Sequence, residues 1–337
     1  MSNKLACNSE SICVITNILS EDFLPIIFKN MNLIHKLNLE GINIKIVIVV
    51  ISNRSLADKL EEFVSKQKFK DFVSIVFVPK RVNLATGRNI GINLCKDSKF
   101  IAFIDDDLLL TRQWILNTLD VFRKNDNIVA LTGNAIPVVL RSIKGQIILK
   151  YLLPREFFWL IGCPYFSELE TSVSMFYIDT LIGSNMIFRR EVFEKIGAFN
   201  EKLGFITLKG KKILIGGEDT EISQRIIREN LGKLACSKRM IAFHIIGKKK
   251  IALTALLKRA FWYPLSYMYV QRSLLSSKRK ENSFMLRHKK FARNLIKKIL
   301  LLIKGSVSKP SNIVLLFGIA LFSIAVLIGH FLSKLLL

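Results

Sequence analysis

The sequence predicts an α/β protein with a doubly wound sheet, followed by a basic amphipathic stretch and one transmembrane helix. Three observations carry this. Continuous β-branched runs such as Asn43–Ile51 (NIKIVIVVI) fit strands buried on both faces of a sheet. These runs alternate with segments of helical period, which means βαβ units. An uncharged apolar block lies near the C-terminus.

Ser11–Thr16 is a short apolar run, and Asp22–Leu39 is amphipathic. Leu56–Lys68 sets Leu60, Phe63 and Val64 at helical spacing, and Phe72–Val78 reads as a strand. Thr86–Lys96 is a helix, Phe100–Ile104 a third buried strand, Trp114–Lys124 a helix and Ile128–Thr132 a strand. Arg141–Phe176 is less regular and rich in aromatics (Tyr151, Phe157, Phe158, Trp159, Tyr165, Phe166); it reads as loops and short elements over an acceptor site. Asn185–Phe188 is a strand, Arg190–Ile196 a helix, and Gly216–Asn230 opens on two glycines before continuing as a helix.

The strongest chemical signal is Asp105, Asp106 and Asp107, directly after the apolar strand FIAFI. Adjacent carboxylates repel one another unless a cation or donors compensate. Oxygen ligands on a strand-end turn suit Mg²⁺ or Mn²⁺, which would also hold a diphosphate. Ligands of doubly wound sheets sit at the carboxyl ends of strands, where this turn falls. A phosphatase-type strand end, DxDx(T/V), is disfavoured by Leu109.

The second signal is GGEDTE, 216–221. Helix capping would account for Asp219 and Glu221. A functional carboxylate here would be a general base that takes the proton of an acceptor hydroxyl. In NLATGRNIGIN (Asn83–Asn93), Gly87 and Arg88 at a helix N-terminus either meet a nucleotide's phosphate or base, or belong to an ordinary cap. His244 in IAFHIIG is either structural or a third metal or diphosphate contact.

Of the chain's 337 residues, the stretch Leu231–Lys309 holds twenty Lys or Arg against the single acidic residue Glu281, and the formal net charge is +25. Such a surface meets lipid headgroups or nucleic acid. Ile313–Gly329 (IVLLFGIALFSIAVLIG) decides between them, being long enough to cross a hydrocarbon core of roughly 30 Å. Before it, Arg287, Lys289, Lys290, Arg293, Lys297, Lys298 and Lys304 interleave with Phe291, Leu295, Ile296 and Ile299. Basic flanks favour the cytoplasmic side, so the expectation is a single-pass protein of the cell membrane with its catalytic domain cytoplasmic. The N-terminus lacks a signal-peptide layout. The five cysteines (Cys7, Cys13, Cys95, Cys163, Cys236) are odd in number and unpatterned, which reads as a reducing compartment. The expected division is a catalytic domain over 1–245, a basic membrane-interface region over 246–309 and a transmembrane helix over 310–333.

Together NLATGRNIGIN, FIAFIDDDLLL, GSNMIFRREVFEKIGAFNEKLG, GGEDTEISQRI and AFHIIG, in this order between Ile12 and Ser266, resemble the family 2 glycosyltransferases of GT-A fold. FFWLIGCPY, GSNMIFRREVFEKIGAF and GGEDTE resemble in particular archaeal-type enzymes that add sugars to lipid-linked acceptors, glucosyl-dolichyl-phosphate glucuronosyltransferases among them. The resemblance implies a doubly wound mixed sheet and inverting transfer from a UDP-sugar with a divalent metal. It further implies that Asp107 and Asp105 bind the metal, with His244 assisting, and that Asp105 also meets ribose or diphosphate, beside Asp106. Asp219 of the Glu218–Asp219 pair would be the base. Arg88 and Asn89 match the turn near the nucleotide, while Gly183, Ser184 and Asn185 fall where the family lines its donor-sugar pocket. The chain departs from the family where an aspartate usually recognises uracil: VIVVISNRSLAD offers Ser52, Asn53 and Ser55. It departs also at the first strand's end, where Thr16 and Asn17 are the nearest match. The partners implied are a nucleotide-sugar donor, a lipid-linked or other membrane-associated glycan acceptor, and the membrane itself.

Two rivals are weaker. A sugar nucleotidyltransferase would share the metal aspartates but needs neither an acceptor base nor a span. A basic nucleic-acid binder would show a recognition helix or an RNP-like aromatic pattern, and neither is visible, so nucleic acid is not an expected partner.

Overall fold

In the computed structural model, residues 10–51, 53–79, 82–164, 173–208, 211–274, 293, 295–304 and 310–336 are described. Ser52, Cys7, Tyr165, Phe166, Arg287, Lys289, Lys290 and Phe291 lie outside them.

The N-terminal half alternates as its sequence pattern predicts: β1 (Ser11–Ile18), α1 (Leu24–Leu39), β2 (Asn43–Ile51), α2 (Arg54–Ser65), β3 (Val73–Val78), α3 (Leu84–Leu94) and β4 (Phe100–Ile104). β1 is paired in parallel with β2 on one side and β4 on the other, and β2 carries β3. The helices start where side chains satisfy free N–H groups: Asn53 accepts from the Leu56 N–H, Asn83 from that of Thr86.

Beyond β4 come β5 (Leu108–Leu110), α4 (Arg112–Lys124), β6 (Ile128–Val138), α5 (Ile143–Ile147), a π turn and a 3₁₀ turn (Ile148–Leu152 and Arg155–Ile161), β7 (Met175–Ile178), β8 (Asn185–Arg189) and α6 (Glu191–Ile196). A small antiparallel pair follows, β9 (Gly204–Leu208) with β10 (Lys211–Ile215), and then α7 (Glu218–Arg228) and β11 (Lys233–Ile245). Short α8 (Lys248–Ile251), long α9 (Leu253–Leu274) and α10 (Ser311–Leu336) complete the labelled elements.

The sheet is mixed. Its order is β3-β2-β1-β4-β8-β6-β11-β5, with β7 also on β11. β8 runs antiparallel between β4 and β6, a non-local insertion that puts the 183–185 turn beside the end of β4. One face is covered by α1, α2 and α4, through residues such as Ile34, Leu60 and Trp114, and by Leu256, Ala260 and Phe322 of the C-terminal helices. The other face is covered by α3, α6 and α7. Burying both faces explains why β2 and β4 read as unbroken apolar runs.

The thiols need a correction. Cys13 and Cys95 form a disulfide across 82 residues of sequence, although all five cysteines read as unpaired. Cys13 lies on the β1 face that α3 covers, and Cys95 caps the end of α3, so packing brings together a pair that no local spacing reveals. Cys163 and Cys236 are buried free thiols.

Helix α10 is apolar and long enough to cross a membrane over Ser311–Leu335. One of its faces rests on the fold: Phe322 is wholly buried, its ring centroid 5.5 Å from that of Phe157. The opposite face exposes Ile313, Phe317, Leu327 and Phe331.

Candidate active site

The site is built where β4 and β11 end and β8 and α7 begin. The β4 backbone leaves the sheet at Asp105, whose N–H donates to the Ser184 carbonyl at 3.0 Å. One residue back, the Gly183 N–H donates to Asp219 Oδ2 at 2.9 Å. The 183–184 turn therefore holds the triple-aspartate turn on one side and the Glu218–Asp219 pair on the other. Arg88 of α3 spans the same gap. Its Nη1 donates to Glu218 Oε1 at 2.7 Å and its Nη2 to the Gly183 carbonyl at 2.9 Å, with Asp105 Oδ1 3.9 Å away. Buried and charged, Arg88 is satisfied by residues from three separate motifs.

Asp107 points to the opposite side. It is 4% exposed, with Oδ1 2.7 Å from His244 Nε2 and Oδ2 2.9 Å from Lys250 Nζ. His244, on β11, is fully buried, and its Nδ1 faces the Cys163 Sγ at 3.6 Å. Gly162 stays clear of this ring because it has no side chain: a Cβ there would sit 3.1 Å from His244 Cε1. Ligand atoms of Asp105, Asp107 and His244 lie within 4.8 Å of one another and could hold a metal ion. The residues fit such an ion. Two carboxylates and an imidazole are a donor set for a divalent cation, and Asp107 and His244 offer theirs from buried positions.

The carboxyls differ in their surroundings. Burial, reinforced by the Asp107 charge, pushes Asp105 above the usual carboxylate range. Burial and the charges of Asp107 and Asp105 push Asp106 up to about 7. For Asp107 burial also acts upward, but the His244 ring and the Lys250 ammonium outweigh it and hold the group at about 2. Asp219 is raised to about 6, by burial first and then by the Glu218 charge. A carboxylate with that pKa is matched to proton abstraction near neutrality.

Other expected residues have their own places. Thr16, almost buried, lines a small internal cavity with Asp105, Asn30 and Ile104. Asn17 lies under α3, where any Cβ on Gly87 would overlap its amide. Ser184 Oγ donates to the Gly162 carbonyl at 2.6 Å, tying the 183–185 turn to the aromatic 3₁₀ segment. Asn185 is wholly buried and accepts from Trp114 Nε1 at 2.7 Å. Asn89 faces away from the aspartate turn and pins the loop after α6 through Phe199 and Glu201. Asn53 serves as the cap of α2.

Sequence reasoning missed three contributors. Asn30 of α1 clamps β5, donating to the Leu108 carbonyl at 2.8 Å and accepting from the Leu110 N–H at 2.9 Å. Cys163 sits against His244. Lys250 reads as one more cation of a basic run; its position six residues beyond His244 was the available signal.

Residues 33–197 match the family described as Glycosyl transferase family 2. A glucosyl-dolichyl phosphate glucuronosyltransferase of Haloferax volcanii is 26% identical over 222 residues, 65% of this chain and 64% of its own length. The aligned region thus spans under two thirds of that relative. Among solved structures, the mannosyltransferase PcManGT from Pyrobaculum calidifontis, in complex with GDP-Man and Mn²⁺, superposes with a TM-score of 0.57. It is 12% identical, over 96% of this chain and 87% of the other. GalNAc-T7 with UDP, GalNAc and Mn²⁺ gives a TM-score of 0.54 at 16% identity, over 85% of this chain and 54% of the other. These likenesses show the GT-A fold.

Proposed function

From the premise that this chain carries a family 2 glycosyltransferase domain of GT-A fold, we propose that it is an inverting glycosyltransferase. It moves a sugar from a nucleotide-diphosphate donor, a UDP-sugar, to a polyprenyl- or dolichyl-linked glycan acceptor. The observation that carries the reading is the 183–184 turn, bonded at once to Asp105 and to Asp219. A cation site and a base of raised pKa are thereby fixed on either side of one short peptide.

Asp107, Asp105 and His244 would hold Mg²⁺ or Mn²⁺, which offsets the charge of the leaving diphosphate. Arg88, Gly183 and Ser184 form the wall between the two carboxylate groups, with the buried Asn185 behind it, and the donor sugar would lie there, with Thr16 and Asp106 on the nucleotide side. Asp219 accepts the proton of the acceptor hydroxyl as that oxygen bonds to the anomeric carbon. The bond from that carbon to the diphosphate oxygen breaks, and its electron pair leaves with the nucleotide. Both Asp219 oxygens already accept N–H bonds, from Gly183 and Thr220, yet a carboxylate retains lone pairs for a third partner. Glu218 neutralises Arg88 and keeps Asp219 from pairing with it.

The membrane setting is supported by α10, by the basic residues before it and by the lipid-linked sugar named in the Haloferax relative's description. The positive flank supports a catalytic domain on the cytoplasmic side. Over 246–309 the chain is read as the interface region, after a catalytic domain of 1–245.

Radiolabelled UDP-sugar incubated with membrane lipid extract and Mn²⁺ tests the proposal. Asp219→Asn should lower transfer by roughly 10²–10⁴-fold while Mn²⁺ binding persists, and Asp107→Ala should abolish the response to Mn²⁺. Full incorporation by Asp219→Asn would remove it as the base.

A further inference from the structure

The Asp107–His244 cage is filled by the chain's own cation. Lys250 Nζ lies 2.9 Å from Asp107 Oδ2 and 2.8 Å from His244 Nε2, the side chains that with Asp105 could converge on a metal ion. Its backbone is immobilised. The Lys250 N–H donates to the Gly247 carbonyl at 2.9 Å, and its carbonyl accepts from Arg259 Nη1 at 2.9 Å, a guanidinium that also grips the Leu160 carbonyl. The side chain is not so confined: 27% of it is exposed, so a path to solvent is open. Lysine is suited to this, being a point charge with three donors on a flexible stem.

We propose that Lys250 is a built-in counter-ion that occupies the metal position and must withdraw before a divalent ion can enter. The proposal rests on the metal reading given above. Occupancy is exclusive for two reasons. In the tautomer that leaves His244 Nε2 unprotonated, that nitrogen can meet the ammonium or an ion, not both, and two cations in one buried cage repel strongly. An exchange of this kind keeps Asp107 compensated in the ion-free protein. It also weakens ion binding by the factor with which the ammonium stabilises the cage, because the coupling is reciprocal.

The test is Mn²⁺ titration of the detergent-solubilised full chain, without nucleotide, followed by the electron paramagnetic resonance of free Mn²⁺. Lys250→Met should bind Mn²⁺ at least tenfold more tightly than the wild type. Lys250→Arg, which keeps the charge, should not gain. Thermal melting gives a second readout: ion-free Lys250→Met should melt below the wild type and be raised more by Mn²⁺. Equal or weaker binding by Lys250→Met overturns the proposal. If binding is then still lost in Asp107→Ala, the metal reading survives that failure. Absence of binding in every variant and in the wild type sinks both.

Discussion

Asp219, the side chain proposed as the base, has surroundings that act in opposite directions. Burial and the neighbouring Glu218 charge raise its pKa to about 6, against the weaker pull of Arg88 and of two backbone N–H groups. As a base it must be ionised, so kcat/KM should rise with pH through about 6 and flatten above it. Removing the Glu218 charge with Glu218→Gln should move that limb to lower pH, because it deletes a repulsion and frees Arg88 to attract Asp219. A pH–rate profile of both proteins checks the sign. The effect on stability runs the other way: a carboxyl whose pKa is higher folded than unfolded favours folding when protonated. Its contribution is present below about 4 and is lost as pH rises through about 6. Gly183 makes a separate prediction at this scale. A Cβ there would stand 3.0 Å from Asp219 Oδ2 and 3.5 Å from Arg88 Nη2. Gly183→Ala should therefore reduce kcat by roughly tenfold or more through displacement of the base, while the melting temperature moves little. An unchanged kcat would show that the carboxylate has room to adapt.

At the scale of elements, the triple-aspartate turn owes its shape to strands and helices distant in sequence. Asn30 of α1 uses its amide to hold both ends of β5, immediately after Asp107. Asn30→Leu would leave the buried Leu108 carbonyl and Leu110 N–H without that partner, at about 1–3 kcal/mol each. The expected outcome is a destabilised protein whose Mn²⁺ affinity falls too, measurable by calorimetry; loss of stability with full affinity would mean the turn holds its shape unaided. This dependence explains what the sequence could and could not disclose. The runs NIKIVIVVI and FIAFI announce buried strands by composition, and the aspartates that follow announce the turn, because both signals are local. Neither the Arg88–Glu218 pair, 130 residues apart, nor Cys13–Cys95 has a local trace. The antiparallel insertion of β8 between β4 and β6 creates the 183–184 bridge and contributes to the mixed character of the sheet; the family resemblance anticipated the mixed sheet but not the place of β8. Lys250 was hidden differently: in a basic run, one cation turned inward looks like its neighbours.

For the whole molecule, the question is how the apolar α10 is joined to the catalytic fold. Its inner face carries Gly318, Phe322 and Gly329, spaced so that they share one side of a helix. A Cβ on Gly318 would overlap the Leu152 carbonyl, and one on Gly329 the Phe261 carbonyl; both obstacles are backbone and cannot turn away. The two contacts are about 16 Å apart along the helix axis at 1.5 Å per residue. Phe322, buried between them, reaches the core cluster shared with the sheet. The membrane-type helix and the enzyme fold are thus one packed body rather than an anchor on a tether. Gly318→Ala and Gly329→Ala should each cost about 1–3 kcal/mol, the usual penalty of overpacking a fitted contact. Substitutions this far apart normally add. Here the double variant should cost little more than the worse single one, because either change alone lifts the helix and relieves the other clash. Denaturant unfolding in detergent measures the cycle, and membrane fractionation of the same variants shows whether the helix still partitions into lipid. Full additivity would mean that each glycine adjusts locally while α10 stays seated. If no variant shifts stability at all, the helix stands clear of the domain, and the shared core has no part in holding the site at the bilayer.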